Sequence, residues 1–165
     1  MRDNQGFTVL ECVIACSLVG VVLIGINRLS ISAFDVYNSH LSAIELDNKA
    51  DMVYYALKNR IENAQTLVFN TSPNGVLNYE DEIVDNQFSS VRLYYYDDAS
   101  SISLYYSSGQ GNLNYSTQVV QEDISSMRVN KKANSAVVTI SYQFRNSDEV
   151  YYYVVDLSNK GVRDG

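Results

Sequence analysis

The chain contains few of the residues that form disulfides, metal sites and helix breaks. It has 165 residues, among them two cysteines, one histidine and one proline. Cys12 and Cys16 lie in a single apolar segment, so the rest of the chain has no thiol with which to form a disulfide. This distribution excludes a His/Cys metal set and a Cys/His nucleophile pair outside that segment, and a domain there must be held by packing alone.

The sequence also has no motif of a common enzyme class. A Gly-x-Ser-x-Gly elbow and a glycine-rich phosphate loop are both missing. His40 is expected at the surface of a helix. Acidic stretches at residues 80–85 and 97–98 could bind calcium, but they lack EF-hand spacing, and loop carboxylates are usually just solvated. The sequence therefore predicts a protein that is not an enzyme and that has no metal or other cofactor.

Basic residues are fewer than acidic ones. The chain has 12 lysines and arginines against 19 aspartates and glutamates, which gives a net charge of −7. Such a protein repels the phosphates of nucleic acid as a whole, so nucleic acid is not an expected partner. The exception is a local basic cluster formed by Arg128, Lys131 and Lys132, which is either a solvated loop or a DNA-binding patch beside Tyr-rich strands.

Residues 7–26 form a long apolar segment with one carboxylate near its start. At ~1.5 Å per residue, a helix of this length covers roughly the ~30 Å hydrocarbon layer of a bilayer. Glu11 costs on the order of 2.5–3.5 kcal/mol in such a layer, and acids within a membrane usually have a partner and mark a functional site. The segment therefore predicts a membrane-spanning helix in which Glu11 needs a cation.

The start of this segment, Gly6-Phe7-Thr8-Val9-Leu10-Glu11, resembles the type III signal of type IV pilins and pseudopilins. The resemblance implies that a prepilin peptidase cuts between Gly6 and Phe7 and that Phe7 is then N-methylated. It also implies that Glu11 meets the N-terminal amine of an adjacent subunit during assembly. Cleavage would create a mostly cationic α-amine on Phe7, one helical turn from Glu11.

The same resemblance implies where the protein acts and with what. It predicts a single-pass protein of the cytoplasmic membrane, with its C-terminal domain outside, that then joins a cell-surface pilus or pseudopilus. Its partners would be the peptidase, the membrane before assembly, and other pilin subunits through the N-terminal helix. The chain has Asn27 and Arg28 near the place of the helix proline of major pilins, and it lacks a C-terminal cysteine pair. It is therefore more similar to a minor pilin or J-type pseudopilin.

Two other signals compete for the apolar segment. A secretory signal would need a basic n-region, but Asp3 offsets Arg2, and the candidate cleavage site at residues 30–33 follows a stretch longer than a usual h-region. A lipoprotein signal is suggested by residues 13–16, but a lipoprotein cysteine ends its apolar run, whereas this run continues through Ile26. The pilin-type signal is favoured over both.

Helical spacing continues beyond the apolar segment and predicts an amphipathic helix over residues 27–70, ended by Pro73 and an Asn-Gly turn. A first apolar stripe is predicted to contact neighbouring subunits, and a second to pack on a sheet. The first consists of Phe34, Tyr37, Leu41 and Ile44. The second consists of Leu46, Ala50, Val53, Leu57, Ile61, Ala64 and Val68.

After the turn the spacing becomes alternating. Aromatic and β-branched runs at residues 91–96 and 102–106 predict a hairpin. Further strands are predicted at residues 124–129, 136–144 and 150–155, and the short links imply an antiparallel meander. Fourteen tyrosines, several clustered in these strands, either pack within the sheet or form an exposed binding surface.

These features predict an α+β, pilin-like fold, in which a long N-terminal helix, membrane-spanning and then amphipathic, packs on an antiparallel β-sheet. The expected parts are a leader at residues 1–6, a transmembrane or filament-core helix at 7–26, an amphipathic helix at 27–70 and an antiparallel β domain at 71–165 with a loose tail from residue 158. The resemblance predicts a structural minor subunit of a type IV pilus or related pseudopilus, which primes assembly near the tip. Alternatives with the same architecture are a tip adhesin and a competence pseudopilin for DNA uptake.

Overall fold

The computed structural model describes residues 8–72, 75–76, 82–95 and 101–162. The chain divides into two compact units, Met1–Glu45 and Leu46–Gly165, which we call the N-terminal unit and the C-terminal unit. The described elements are, in chain order, α1 (Val9–Asn63), β1 (Thr66–Ser72), β2 (Gly75–Val76), β3 (Ile83–Tyr94), β4 (Ile102–Ser107), β5 (Asn112–Tyr115), β6 (Gln118–Gln121), β7 (Ile124–Lys131), β8 (Val137–Phe144), β9 (Val150–Asp156) and β10 (Gly161–Val162).

In the N-terminal unit, the described chain is the first part of α1, and its apolar side chains are exposed. Val9, Leu18 and Ile26 are all more than half exposed. The helix contains an 18-residue window that is long and apolar enough to cross a membrane, and none of that window is buried. A signal sequence passes the same test of length and composition, so this observation establishes a candidate membrane helix and no more.

In the C-terminal unit, residues 46–63 of α1 pack one face on a sheet. Ala50, Val53, Leu57 and Ile61 are buried, and they follow one another at intervals of three and four residues. The predicted second stripe is therefore confirmed for these four positions. The predicted α+β class, with a long N-terminal helix packed on an antiparallel sheet, is confirmed with it.

The predicted end of the helix is wrong. α1 ends at Asn63 and β1 begins at Thr66, whereas the spacing predicted a helix to residue 70. Leu67, Val68 and Phe69 are all buried, so β1 is covered on both faces. A strand buried on both faces has a continuous apolar run instead of an alternating one, and such a run also satisfies helical spacing.

β3 is the central strand of the sheet. Its residues 90–93 pair with β4 and its residues 83–87 pair with β7, both in antiparallel fashion. β1 pairs antiparallel with β3 and parallel with β10. The predicted hairpin is confirmed over β3 and β4, and the predicted succession of β7, β8 and β9 is confirmed as an antiparallel meander. The prediction of one continuous meander is wrong, because β7 pairs with β3 and not with the preceding β6.

The side chains of β8 alternate as their sequence predicts. Val138, Ile140, Tyr142 and Phe144 are buried, and they share one face of the strand. The intervening positions are more polar. Burial of one face of β8 places Tyr142 beneath α1, where its hydroxyl donates to the backbone oxygen of Ala50 at 2.9 Å.

The end of the chain is held in place as far as Val162. Residues 161–162 form β10, which pairs with Thr66 and Leu67 of β1. Lys160 Nζ donates to the backbone oxygens of Glu62 and Ala64 at the C-terminal end of α1. A lysine there satisfies carbonyls that have no partner within the helix. The prediction of a loose tail from residue 158 is therefore wrong for residues 158–162.

Candidate functional site

The candidate site lies at the first turn of α1, where Thr8 and Glu11 bind each other. Glu11 Oε2 accepts a hydrogen bond from the backbone N–H of Thr8 at 2.9 Å and a second from Thr8 Oγ1 at 3.0 Å. Thr8 Oγ1 in turn accepts from the backbone N–H of Glu11 at 3.3 Å. These reciprocal bonds form a capping box, in which Thr8 is the N-cap and Glu11 the third helical residue.

The sequence contains the Thr-x-x-Glu signal of this capping box, and sequence reasoning overlooked it. The carboxylate was predicted to need a partner, and the structure supplies one inside the chain. Both bonds from Thr8 end on Oε2, and Oε1 accepts no hydrogen bond from any described residue. An ionised carboxylate has about four acceptor positions, so Glu11 retains capacity for a further donor.

The predicted cleavage site cannot be placed beside this turn. Gly6 and Phe7, together with the rest of the predicted leader, lie outside the described residues. Processing after Gly6, N-methylation of Phe7 and a contact between Glu11 and an α-amine therefore remain predictions.

The two cysteines are exposed free thiols on the apolar part of α1. Cys12 and Cys16 are four residues apart and so share a face of the helix. Within the described part of the chain, no group of three histidine, cysteine or acidic side chains is placed to hold a metal ion. The cysteines are therefore small side chains on an uncovered apolar surface.

The first apolar stripe is also uncovered. Phe34 is 68% exposed, and Tyr37, Leu41 and Ile44 are exposed with it. Its four members lie in the N-terminal unit, where α1 is the described structure. Contact with a neighbouring subunit remains the prediction for this stripe. His40, on the same helix, is exposed as predicted.

Two residues of the basic cluster, Arg128 and Lys131, lie on β7, while Lys132 follows the strand and is exposed. Arg128 Nη1 forms a salt bridge with Asp85 Oδ2 at 2.6 Å and also donates to the backbone oxygen of Asp85. Lys131 is only 4% exposed and donates to the backbone oxygen of Lys132. Since both side chains are engaged within the fold, they present little free positive charge for DNA phosphates.

The acidic stretches do not form a described calcium site. Asp85 adopts a φ of 55° at an irregularity in the pairing of β3 with β7, and its carboxylate binds Arg128. Residues 80, 81, 97 and 98 lie outside the described residues, so the calcium interpretation is untested there.

The tyrosines alternate between the core and the surface. In β9, Tyr153 is 5% exposed while Tyr152 is 62% exposed. In β4, Tyr106 is buried and Tyr105 is exposed. Strand geometry explains this alternation, because successive side chains point to opposite faces. In each pair, therefore, one tyrosine packs in the core and the other is exposed. The clustering of tyrosines in the sequence does not by itself imply a continuous adhesive surface.

Comparisons of this chain with protein-family models, with curated proteins and with solved structures find no match. A long apolar N-terminal helix followed by an antiparallel sheet is compatible with a pilin-like fold, and the helix is compatible with a single-pass membrane protein.

Proposed function

We propose that the chain is a structural subunit of a type IV pilus or related pseudopilus, cut after Gly6 by a prepilin peptidase and assembled through its N-terminal helix. In this role it is a minor subunit that primes assembly near the tip. The observation that carries the proposal is a single carboxylate, Glu11, fixed in the first turn of a helix whose apolar window is wholly exposed.

The exposed apolar surface of α1 supports this proposal, because an apolar surface of that extent is unfavourable in water and usually contacts a membrane or another protein. Before assembly, the bilayer would cover it. After assembly, the helices of neighbouring subunits would cover it. A soluble protein would instead need to bury such a helix in its own core, and the described part of the N-terminal unit buries none of the apolar window.

The geometry of Glu11 supports the proposed assembly contact. The capping box fixes the carboxylate through Oε2, while Oε1 is available to a donor from outside the described chain. A cationic α-amine is such a donor, and cleavage after Gly6 would create one on Phe7. Removing two charged groups from water costs free energy, and their attraction offsets this cost only when their geometry is good. The capping box fixes the position of the carboxylate before the cation arrives.

N-terminal mass spectrometry of the protein from its own cell tests the processing step. We expect the mature chain to begin at N-methylated Phe7. A Gly6→Ile variant should retain residues 1–6, while Gly20→Ala, a glycine whose added Cβ would meet nothing within 4 Å, should be processed normally. A native chain that begins at Met1, or one that has lost the whole apolar segment, would overturn the proposal.

A further inference from the structure

We propose that an open cleft in the C-terminal unit binds a cationic organic group, either an alkylammonium or a guanidinium. The cleft has a volume of about 380 Å³ and lies where α1 meets β8 and β9. The proposed filament role does not involve it. Its lining is acidic and aromatic and includes Asp47, Asp51, Tyr54, Tyr142, Tyr151 and Tyr152.

The two aspartates give the cleft an uncompensated negative charge. Asp47 and Asp51 are four residues apart on α1, so their carboxylates lie on one face of the helix and repel each other. Neither carboxylate forms a salt bridge or hydrogen bond with any residue that the structure describes. Lys49, which lies between them in sequence, has its Nζ 3.5 Å from Asp123 Oδ2. A bound cation would remove this repulsion.

The tyrosines give the cleft fixed aromatic walls. The rings of Tyr142 and Tyr151 are stacked, with centroids 5.7 Å apart and an interplanar angle of 18°. The Tyr142 hydroxyl donates to the backbone oxygen of Ala50, which fixes that ring against α1. Tyr151 shares this face of β9 with the buried Tyr153, whereas the ring of Tyr152 lies on the opposite face and forms no part of the wall. A cation within about 6 Å of such ring faces is attracted by their electron density.

The walls stay uncharged at neutral pH. Burial, with further contributions from Glu149 and Asp47, raises the pKa of Tyr151 to about 12. Burial, and then Asp51, likewise raises the pKa of Tyr142. The negative charge of the cleft therefore comes from the aspartates, and the phenol rings offer neutral faces.

One wall already holds a cation of the chain itself. Lys58 Nζ lies 5.9 Å from the centroid of the Tyr54 ring. We therefore place the incoming group against Tyr151, next to the aspartates. A divalent metal ion suits the cleft less well, since calcium takes six to eight oxygen ligands and the lining provides two carboxylates.

The test uses the full chain, labelled with 3-fluorotyrosine and dissolved in a nonionic maltoside detergent. Phosphatidylcholine and zwitterionic detergents are avoided because they carry a quaternary ammonium group. The chain is titrated with tetramethylammonium, with butylammonium and with N-acetylarginine amide, and ¹⁹F spectra are recorded. We expect a saturable shift of the Tyr151 signal, with a Kd on the order of 1–10 mM. Sodium chloride and N-acetylglutamine amide should produce no saturable shift.

Matched variants locate the binding. Asp47→Asn/Asp51→Asn should weaken binding of all three cations by roughly five-fold or more, because the attraction depends on both charges. Asp35→Asn/Glu122→Gln removes two exposed carboxylates outside the cleft and should leave Kd unchanged. Tyr151→Leu should weaken tetramethylammonium, which makes no hydrogen bonds, more than N-acetylarginine amide. Tyr152→Leu removes a ring on the opposite face of β9 and should leave Kd unchanged.

Thermal unfolding of each variant serves as the check on folding, and Tyr151→Leu provides a second test if the double variant is unstable. Two results would overturn the proposal: no saturable shift with any cation, or a Kd unchanged both by loss of the aspartates and by Tyr151→Leu. Binding of the guanidinium and butylammonium but not of tetramethylammonium would identify a hydrogen-bonding group, such as an arginine or lysine side chain, as the ligand.

Discussion

Thr8 and Glu11 cap the first turn of α1 through reciprocal hydrogen bonds, with the Thr8 N–H 2.9 Å from Glu11 Oε2. The carboxylate thus has a structural role that does not depend on a neighbouring subunit. Charge and capping can be separated experimentally, because glutamine completes a capping box while carrying no charge.

Glu11→Ala and Glu11→Gln therefore form the first test. If Glu11 pairs with an α-amine during assembly, both variants should be cleaved after Gly6 but should enter filaments several-fold less often than the unmodified chain. The measurement is the fraction of the protein recovered in sheared surface filaments relative to the membrane. Normal incorporation of Glu11→Gln together with poor incorporation of Glu11→Ala would assign the role to capping and remove the ion pair.

A second prediction concerns the turn between β4 and β5. Gly111 has a φ of +75°, and a Cβ there would lie 2.7 Å from the backbone oxygen of Ile124 and 2.9 Å from Arg145 Nη2. Gly111→Ala should lower the free energy of unfolding by about 2–4 kcal/mol, from backbone strain and a clash that the Ile124 backbone must relieve. Urea unfolding of the chain in detergent measures the change.

Two other glycines separate strain from clash. Gly75 has a φ of +78° but open space around its Cβ position, so Gly75→Ala should cost only about 1–2 kcal/mol. Gly109 has neither feature, and Gly109→Ala should stay within about 0.5 kcal/mol of the unmodified chain. Equal losses at Gly111 and Gly75 would refute the clash, and equal losses at Gly111 and Gly109 would refute both the clash and the strain.

A third prediction concerns the contact between α1 and β5. The Arg60 guanidinium carbon lies 3.5 Å from the centroid of the Tyr115 ring. Lysine cannot stack its charge as a plane on a ring, so Arg60→Lys should lower the free energy of unfolding by about 0.5–1 kcal/mol. A double-mutant cycle with Tyr115→Leu should recover the same coupling. Arg92→Lys, at an exposed position on β3, is the matched control and should have almost no effect.

A fourth prediction concerns stability at high pH. Burial, and then the nearby Glu62 and Tyr54, raises the pKa of Tyr153 to about 12. An unfolded tyrosine loses its proton near pH 10, so between pH 10 and about 12 the folded state holds more protons than the unfolded state. The resulting stability is fully present below pH 10 and is lost as the pH rises through about 12.

Urea unfolding at pH 8 to 12 measures this loss. Tyr153→Phe keeps the ring against Tyr54, whose centroid lies 5.4 Å away, and should make the decline less steep. Tyr152→Phe changes an exposed tyrosine of the same strand and should leave the decline unaltered. The prediction fails if the two variants give the same pH dependence.

The parts of the fold that the sequence predicted are those with a clear period. Ala50, Val53, Leu57 and Ile61 repeat at helical intervals because one face of α1 is buried and the other is wet. The residues of β8 alternate for the corresponding reason in a strand. In both elements the apolar residues of the sequence fall at the buried positions. The spacing of the apolar residues therefore predicted the type of element and its buried face.

The parts that were missed lack such a pattern. β1 is covered on both faces, and its apolar run extended the helical spacing beyond Asn63. β5, Asn112–Tyr115, is short and contains two asparagines, which give no strand signal, although Leu113 and Asn114 are buried. The position of β7 beside β3 depends on long-range pairing that local spacing does not encode.

The candidate site was only half predictable. Glu11 was identified because a carboxylate in an apolar run is expensive, which is a property of one residue. Its bond to Thr8 follows from the Thr-x-x-Glu spacing and was available from the sequence. The proposed cation cleft was not predictable, because Asp47 and Asp51 lie on α1 whereas Tyr142 and Tyr151 lie on β8 and β9, and only the packing of the C-terminal unit brings them together.

The contact of Lys160 with the C-terminal end of α1 can form only after strands β1 to β9 have been synthesised. The carbonyls of Glu62 and Ala64 receive their lysine late in synthesis, since it lies 96 residues beyond Ala64. Translation therefore completes α1 before the lysine that binds its C-terminal end has been made. A premature stop just ahead of Lys160 would yield a product in which these two carbonyls lack that partner.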